Sequence, residues 1–566
     1  MRRLLTVSFC LVLLAQTVFA DTGLVHHDLM AKIDPEKNTL SVSDVISVPE
    51  SLRHRDLYFL LSSDLTATSP TPGVSLEIAS GSIEARQFGM VDEDFAALAS
   101  GVSLRKHILH IPEALATFTL EWNGRINHGI LQQEKEYARG FSETSGIISS
   151  AGVYLAGSSR WIPWFNDGLI TFSLTTSLPA TWDSVSQGTR TDHRLEQGRW
   201  VTRWEATDPM EQIYLIAAPF TEYSRKCGDV DMMAFLRKPE ETLATTYLET
   251  TGQYLEMYKK LIGPFPFSKF ALVENFWETG YGMPSFTLLG EKIIRFPFIL
   301  HSSYPHELLH NWWGNGVYVK SGSGNWSEGI TAYLADHLIK EQQGQGQEYR
   351  QTLLQKYSDY VKPSGDFPLK SFRSRFDAAS EAIGYGKAAM MWEMLREQVG
   401  DDDFIKSWQS FFRKNRFQTA TFDDIRNSFS EVTGKDLGAF FRQWVDRVGA
   451  PDLRLSGVTL KTTNDGTHLA FTISQAQKEE PFDLDIPVEV FLEKDVIESK
   501  VHLGGREQSY DLVFSDKPVA LRVDPRFNVF RRLHYLETSP ALSKIFGDQS
   551  PLILLPSMAD ETRSAA

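Results

Sequence analysis

Cysteine is nearly missing from the 566 residues: there are two, Cys10 and Cys227. If the first twenty residues are removed as a leader, Cys227 stands alone, so no intramolecular disulfide can form even in an oxidising compartment. Stability must then come from buried cores and from any bound metal. Positive charge is also short, with 57 Lys and Arg against 72 Asp and Glu, a net charge of −15, and no basic cluster along the chain. That excludes a nucleic-acid partner on electrostatic grounds. Past residue 20 no apolar run approaches the roughly 20 residues that span a bilayer, so no membrane span is expected in the mature chain. Internal repeats and low-complexity tracts are absent as well. What is present is 42% hydrophobic and 12% aromatic residues, enough to bury several separate cores in a chain of about three to five domains.

The chain starts with Arg2 and Arg3, an apolar stretch from Leu4 to Leu14, and Val18-Phe19-Ala20 before Asp21. This reads as a signal peptide over 1–20, and the protein is expected to be secreted or periplasmic. Residues 21–225 carry short alternating runs such as Leu40-Ser-Val-Ser-Asp-Val-Ile-Ser-Val and Phe118-Thr-Leu-Glu-Trp, the pattern of a β-rich domain. Over 226–448 the apolar period lengthens to that of helices, as in Ile330, Tyr333, Leu334, Leu338 and in Ala388, Met391, Trp392, Leu395. Gly449-Ala450-Pro451 interrupts this pattern, and strand-like runs return over 449–535 as a small β-sandwich. A tail, 536–566, holds one apolar run from Leu552 to Leu555. The expected fold class is therefore multidomain, with α and β structure in separate parts.

The chemistry concentrates at Pro305-His306-Glu307-Leu308-Leu309-His310. Ser303 is placed to cap a helix whose first turn tolerates Pro305, because the missing donor would be unpaired there anyway. Residues four apart share a helix face, so His306 and His310 can offer nitrogens to one ion at about 2.0–2.1 Å, with Glu307 beside a water on that ion. With 14 histidines in the chain, chance supplies roughly 0.02 such patterns. Asn311-Trp312-Trp313-Gly314-Asn315 is expected to continue the helix to a glycine-rich turn. Asn325-Trp326-Ser327-Glu328-Gly329 then opens a second helix through Tyr333, His337 and Leu338. Packed antiparallel, the two helices bring Glu328 back to the histidines. Three protein ligands leave a fourth position for water, which marks a catalytic rather than a structural zinc site.

The run His306-Glu307-Leu-Leu-His310-Asn-Trp-Trp-Gly-Asn, followed by Trp326-Ser-Glu328-Gly-Ile-Thr-Ala-Tyr, resembles the zinc core of the M1 family of aminopeptidases, the gluzincins that include leukotriene A4 hydrolase. Gly263-Pro264-Phe265-Pro266 and Phe440-Phe441-Arg-Gln-Trp444-Val resemble further segments of that family, so the likeness runs over nearly the whole mature chain. It implies an N-terminal β-saddle domain, a thermolysin-like, mainly helical catalytic domain and a small β-sandwich. It also implies one Zn2+ held by His306, His310 and Glu328, Glu307 as general base, and Tyr385, in Tyr385-Gly-Lys387-Ala388, as donor to the oxyanion. The expected partner is a peptide substrate.

Three departures separate this chain from the family pattern. Seventeen residues rather than eighteen lie between His310 and Glu328. Ala388 stands where the family has glycine. The third lies at the family's Gly-x-Met-Glu-Asn, whose register gives substrate-binding positions Gly282, Met283, Pro284 and Ser285, with proline in place of the glutamate that pairs with a substrate's α-ammonium. The segment aligned with the family's second acidic residue reads Ser150-Ala-Gly152-Val. A desolvated ammonium with no carboxylate costs several kcal/mol, so the departure bears on specificity more than on reactivity. Glu274, Glu278 and Glu291 are the replacements at hand in the sequence. Four readings stay open: exopeptidase, endopeptidase, hydrolase of a non-peptide such as an epoxide, and catalytically silent peptide binder.

Overall fold

The computed structural model describes residues 23–548, apart from 54, 55, 91, 114, 133–141, 166, 167 and 539. The expected leader over 1–20 and the Leu552 to Leu555 run lie outside those residues. The N-terminal part centres on a seven-stranded sheet in the order Thr189–Glu196, Arg199–Met210, Ile170–Pro179, Val25–Asp34, Thr39–Ser47, Thr117–Arg125, Leu65–Thr68. In Thr39–Ser47 the inward positions are Leu40, Val42, Asp44 and Ile46, the period of two that a half-buried strand requires. Asp44 is tolerated inside because His27 Nδ1 lies 2.7 Å from its carboxylate.

A second sheet begins the catalytic part. Its five strands run Thr221–Cys227, Val230–Leu236, Lys269–Asn275, Phe286–Gly290 and Gly280–Met283, with Gly280–Met283 at the edge. The boundary drawn from the sequence at 225/226 falls inside Thr221–Cys227, which pairs with Val230–Leu236 and so belongs to this sheet. Lys269–Asn275 is buried at every position and parallel to both neighbours, as expected where both sheet faces are covered. One face packs on the N-terminal part through Phe235, Val273 and Phe286 against Tyr154 and Ile216. The other joins the helical core through Met232, Phe270 and Leu272.

The helices include Glu241–Leu261, Ser303–Leu309, Trp326–Thr331, Gly346–Tyr360 and Ala388–Val399. Among the described residues three helical stretches widen to π geometry, at Ala332–His337, Ala382–Lys387 and Arg442–Asp446. Two of these carry side chains of the candidate site, a placement common for π segments. The C-terminal sandwich pairs Leu453–Thr463, Gly466–Gln475 and Glu507–Phe514 against Val496–Leu503, Leu484–Leu492 and Pro518–Val523. Trp444 stacks on Phe482 at 5.2 Å and fuses this sandwich to the helical core. The architecture is the expected β-rich, helical and β-sandwich succession. No helix of the described residues is long and apolar enough to cross a membrane.

Candidate metal centre and catalytic cleft

Helix Ser303–Leu309 differs from its expected form at both ends. Its cap is Ser302, not Ser303, and no side chain closes the cap. Pro305 lies within the first turn, where its missing N–H is no loss. Nor do residues 311–315 continue the helix. The chain turns after His310 because Trp312 and Trp313 are both fully buried, Trp312 against Phe265 and Trp313 against Trp408, and Gly314 reverses direction at φ 99°. A short strand, Tyr318–Val319, pairs with Thr419–Ala420 before helix Trp326–Thr331 begins. The missing residue of the spacer is absorbed in this excursion, since the ligands still converge.

They do so as follows. His306 Nε2 lies 3.5 Å and His310 Nε2 3.4 Å from Glu328 Oε2. Four ligands about 2.1 Å from a tetrahedral zinc stand about 3.4 Å apart, so the two edges to Glu328 match those of a zinc site. The outer nitrogens are taken: His306 Nδ1 is 3.1 Å from Asp336 Oδ2, and His310 Nδ1 donates to the Trp313 carbonyl at 3.0 Å. A neutral imidazole that donates at Nδ1 has only a lone pair at Nε2. That lone pair faces the Glu328 carboxylate, whose buried Oε2 has no hydrogen-bond partner among the described residues. Acceptor faces acceptor, and only a cation or a proton reconciles them.

The electrostatics agree. Burial would push both imidazoles down, but Asp336 with Glu328 holds His306 well above its ordinary range, and Glu328 raises His310. Burial would raise Glu328, yet His310 and His306 hold it well below the usual carboxylate range. Two other clusters have ligand-like spacing, Asp183 with His193 and Glu222, and His337 with Glu341 and Glu393. Both already contain a guanidinium: Arg190 grips Glu222 twice at 2.7 Å, and Arg350 reaches His337 at 2.9 Å and Glu393 at 3.2 Å. Glu328 pairs with no Lys or Arg among the described residues, so the trio of His306, His310 and Glu328 is the one suited to a metal.

The cluster lines a cleft of about 1410 Å³. Glu307 faces it from beneath the edge strand. A Cβ on Gly282 would stand 2.9 Å from Glu307 Oε2 and from His310 Cβ, so only glycine lets the strand lie this close. Asn315 donates to the Gly282 carbonyl at 3.0 Å, and Asn311 accepts from the Ser285 N–H at 2.7 Å. The residues after His310 thus fasten the strand to the helix. Gly282 and Met283 line the cleft, whereas Pro284 and Ser285 sit buried in the turn that follows. Ser285, at φ 67°, is held by Lys269 Nζ at 2.7 Å on its Oγ. These two positions form a support for the strand rather than a surface for substrate.

Tyr385 comes from the π stretch Ala382–Lys387, its ring 6.1 Å from that of His306 and nearly parallel to it. Ala388 packs against Gly329, where a Cβ would come within 2.3 Å of the Ala388 Cβ. The glycine the family places at 388 is thus matched here by the glycine across the helix crossing. The three acids named from the sequence face elsewhere. Glu274 is tied to Arg295 at 2.7 Å, Glu278 accepts from the Lys292 N–H at 3.0 Å, and Glu291 pairs with Lys238. Instead Glu143, from the short strand Ser142–Glu143 of the N-terminal part, lines the cleft and bears on the half-buried Tyr281. No motif marked it. Asp336 was missed too, and its one signal was an acid two turns beyond a ligand on the same helix.

Residues 301–444 match the Peptidase family M1 domain. The chain is 21% identical over 312 residues to "Probable aminopeptidase 2" of Sulfurisphaera tokodaii, which is 50% of this chain and 39% of that protein. It is 22% identical over 378 residues to "Aminopeptidase N" of Lactococcus lactis subsp. lactis, 61% of this chain and 44% of the relative. The chain therefore spans less than half the length of these curated relatives. Among solved structures it is similar in fold to Legionella pneumophila aminopeptidase A, crystallised in complex with aspartic acid, with a TM-score of 0.66 at 16% identity over 94% of this chain and 62% of that one. His306, Glu307, His310, Glu328, Asp336 and Tyr385 all fall within residues 301–444, the segment that matches the Peptidase family M1 domain.

Proposed function

We propose that the protein is an exported zinc metallopeptidase of the aminopeptidase type. The observation that carries this is the meeting of two imidazole lone pairs with the partnerless Glu328 Oε2, at the edge lengths of a tetrahedral site, beside a further carboxylate in an open cleft. His306, His310 and Glu328 would hold the ion. Zinc supplies Lewis acidity there, polarising a peptide carbonyl and acidifying water. Glu307 takes the proton of the attacking water and returns it to the leaving amine. Tyr385 donates its hydroxyl hydrogen to the oxygen that gains negative charge. Asp336 and the Trp313 carbonyl keep both imidazoles in one tautomer and one orientation.

Substrate lies along Gly280–Met283, whose outer edge pairs with no other strand among the described residues and so accepts an extended peptide. The Glu143 side chain makes no hydrogen bond or ion pair among the described residues, and it faces the α-ammonium in place of the family's glutamate, where Pro284 stands. Export is supported by Arg2, Arg3 and the apolar run to Leu14. The test compares a free-amine aminoacyl arylamide with its N-acetylated form and an internally quenched peptide, before and after chelation. Turnover of the free-amine reporter alone, lost on chelation and restored by Zn2+, is expected. Cleavage of the quenched peptide alone would make the protein an endopeptidase, and folded, zinc-loaded protein that hydrolyses none of the three would end the peptidase reading.

A further inference from the structure

Tyr154 reaches the cleft from strand Gly152–Leu155, and it is only 8% exposed. Its ring stands edge-on to Trp277 at 5.2 Å between centres, and the Trp277 indole N–H donates to the Ser142 carbonyl at 3.0 Å, next to Glu143. One indole thus sets the positions of both Tyr154 and Glu143. Tyr154 also packs in one apolar cluster with Met283 and Tyr281, which are two apart in the edge strand and so share a face of it. A buried phenol ordinarily finds a hydrogen-bond partner. The neighbouring Tyr214 does, accepting from Gln212 Nε2 at 2.7 Å. The Tyr154 hydroxyl has no partner among the described residues, yet it is not sealed inside the protein, so it opens on the cleft. The ionisable groups that act on it are Tyr214, Tyr281 and Glu143, with no cation among them. A ligand group at this hydroxyl must therefore bring a hydrogen, and a carboxylate there would meet the charge of Glu143.

We propose that Tyr154 is a specificity-determining residue that selects substrates whose first side chain ends in a cationic nitrogen donor on an apolar stem. Two sources share this chemistry, the ammonium of Lys and the guanidinium of Arg. The proposal rests on the peptidase reading above, in which the first residue of the substrate is the one whose α-ammonium meets Glu143. A peptide laid in extended form along Gly280–Met283 turns alternate side chains to the face that Tyr281 and Met283 present, which is the face Tyr154 shares. The stem lies on the phenol rings and the Met283 thioether while the tip reaches the hydroxyl oxygen. An apolar side chain of the same length displaces water from that hydroxyl and leaves it unpaired. By this asymmetry a hydrogen-bonding site rejects an analogue that lacks the bonding group.

The test reads kcat/KM for lysyl, arginyl and norleucyl arylamides, the last of which keeps the stem and lacks the nitrogen. The native protein is expected to favour at least one basic member over norleucyl by roughly tenfold, the scale of one hydrogen bond to a charged group. Tyr154→Phe removes only the oxygen and keeps the ring against Trp277, and it should collapse that ratio toward one. The lysyl and arginyl arms tell which of the two cations the hydroxyl serves. Native ratios near or below one in both arms overturn the proposal. So does a Tyr154→Phe variant that slows all three reporters equally, because Tyr154 would then act on a group common to them and not on the side chain. Binding of lysyl, arginyl and norleucyl amides to zinc-loaded Glu307→Gln protein, with and without Tyr154→Phe, separates the two claims. A basic preference in binding that Tyr154→Phe removes, with no turnover by the native protein, would sustain Tyr154 as the selecting residue while the peptidase reading fails.

Discussion

Asp336 stands 3.1 Å from the outer nitrogen of His306, joining the helix that follows Glu328 to the helix that carries the histidine pair. One carboxylate thereby fixes the tautomer of a candidate ligand and the spacing of the two helices that supply all three candidate ligands. Replacing Asp336 by Asn keeps a hydrogen bond but removes the charge. Metal affinity should fall roughly 10-fold to 100-fold, measured by competition with a chelator of known affinity, while the melting temperature of the metal-loaded protein changes little. Unchanged affinity would mean that His306 is held by packing alone.

Glu307→Gln should leave metal content intact and lower turnover by roughly 10² to 10⁴, the range for one general acid–base group. Metal analysis and steady-state kinetics on one preparation decide this, and retained turnover would remove Glu307 from its role. Tyr385→Phe should lower kcat by roughly 10² to 10³ with little change in KM, since its hydrogen bond forms to charge that develops only in the transition state.

Gly282→Ala places a methyl group 2.8 Å from the Glu307 carbonyl and 2.9 Å from His310 Cβ. Overpacking on this scale costs about 1–3 kcal/mol. It is relieved by moving the edge strand outward, so hydrolysis should suffer more than folding does. A thermal melt beside kcat/KM reads the split, and a variant with native kcat/KM would show that the strand can shift without harm.

Glu143→Gln should raise KM for free-amine substrates and leave the N-acetylated ones unchanged, because it removes the charge facing the ammonium and nothing at the reacting carbonyl. Equal loss on both would place Glu143 in the architecture rather than in recognition.

His337 is 1% exposed and accepts from Arg350, and burial with that neighbouring cation lowers it to about 4 from 6.5. Between those values the unfolded chain binds more protons than the folded one, so stability falls as pH drops from 6.5 through 4 and is fully present above 6.5. The contribution is about 3 kcal/mol when complete. His337→Gln retains an acceptor for Arg350 and should flatten the slope of unfolding free energy against pH over that window. An unaltered slope would assign the acid sensitivity to other groups.

Much of the fold is legible from period alone. The alternation in Leu40 to Ile46 and the helical spacing of Met391, Trp392 and Leu395 come from which faces are covered, a local property of the chain. The candidate histidine ligands are legible for the same reason: His306 and His310 share a helix face because they are four apart. The limit of that logic shows at residues 311–315. Helical spacing continues through them, yet the chain turns, because two consecutive tryptophans must enter different parts of one core. The π stretches that carry Asp336 and Tyr385 are equally invisible to a period of 3.6, since they arise where packing inserts an extra residue into a turn.

The sequence by itself determined the candidate histidine pair of this protein, because residues four apart share a helix face wherever the helix sits. It did not determine what the site recognises. Glu143 and Glu307 lie 164 positions apart in the chain, and no local pattern joins them. They line one cleft because the N-terminal sheets pack on the catalytic sheet, and selectivity set by such long-range contacts is decided by the tertiary structure.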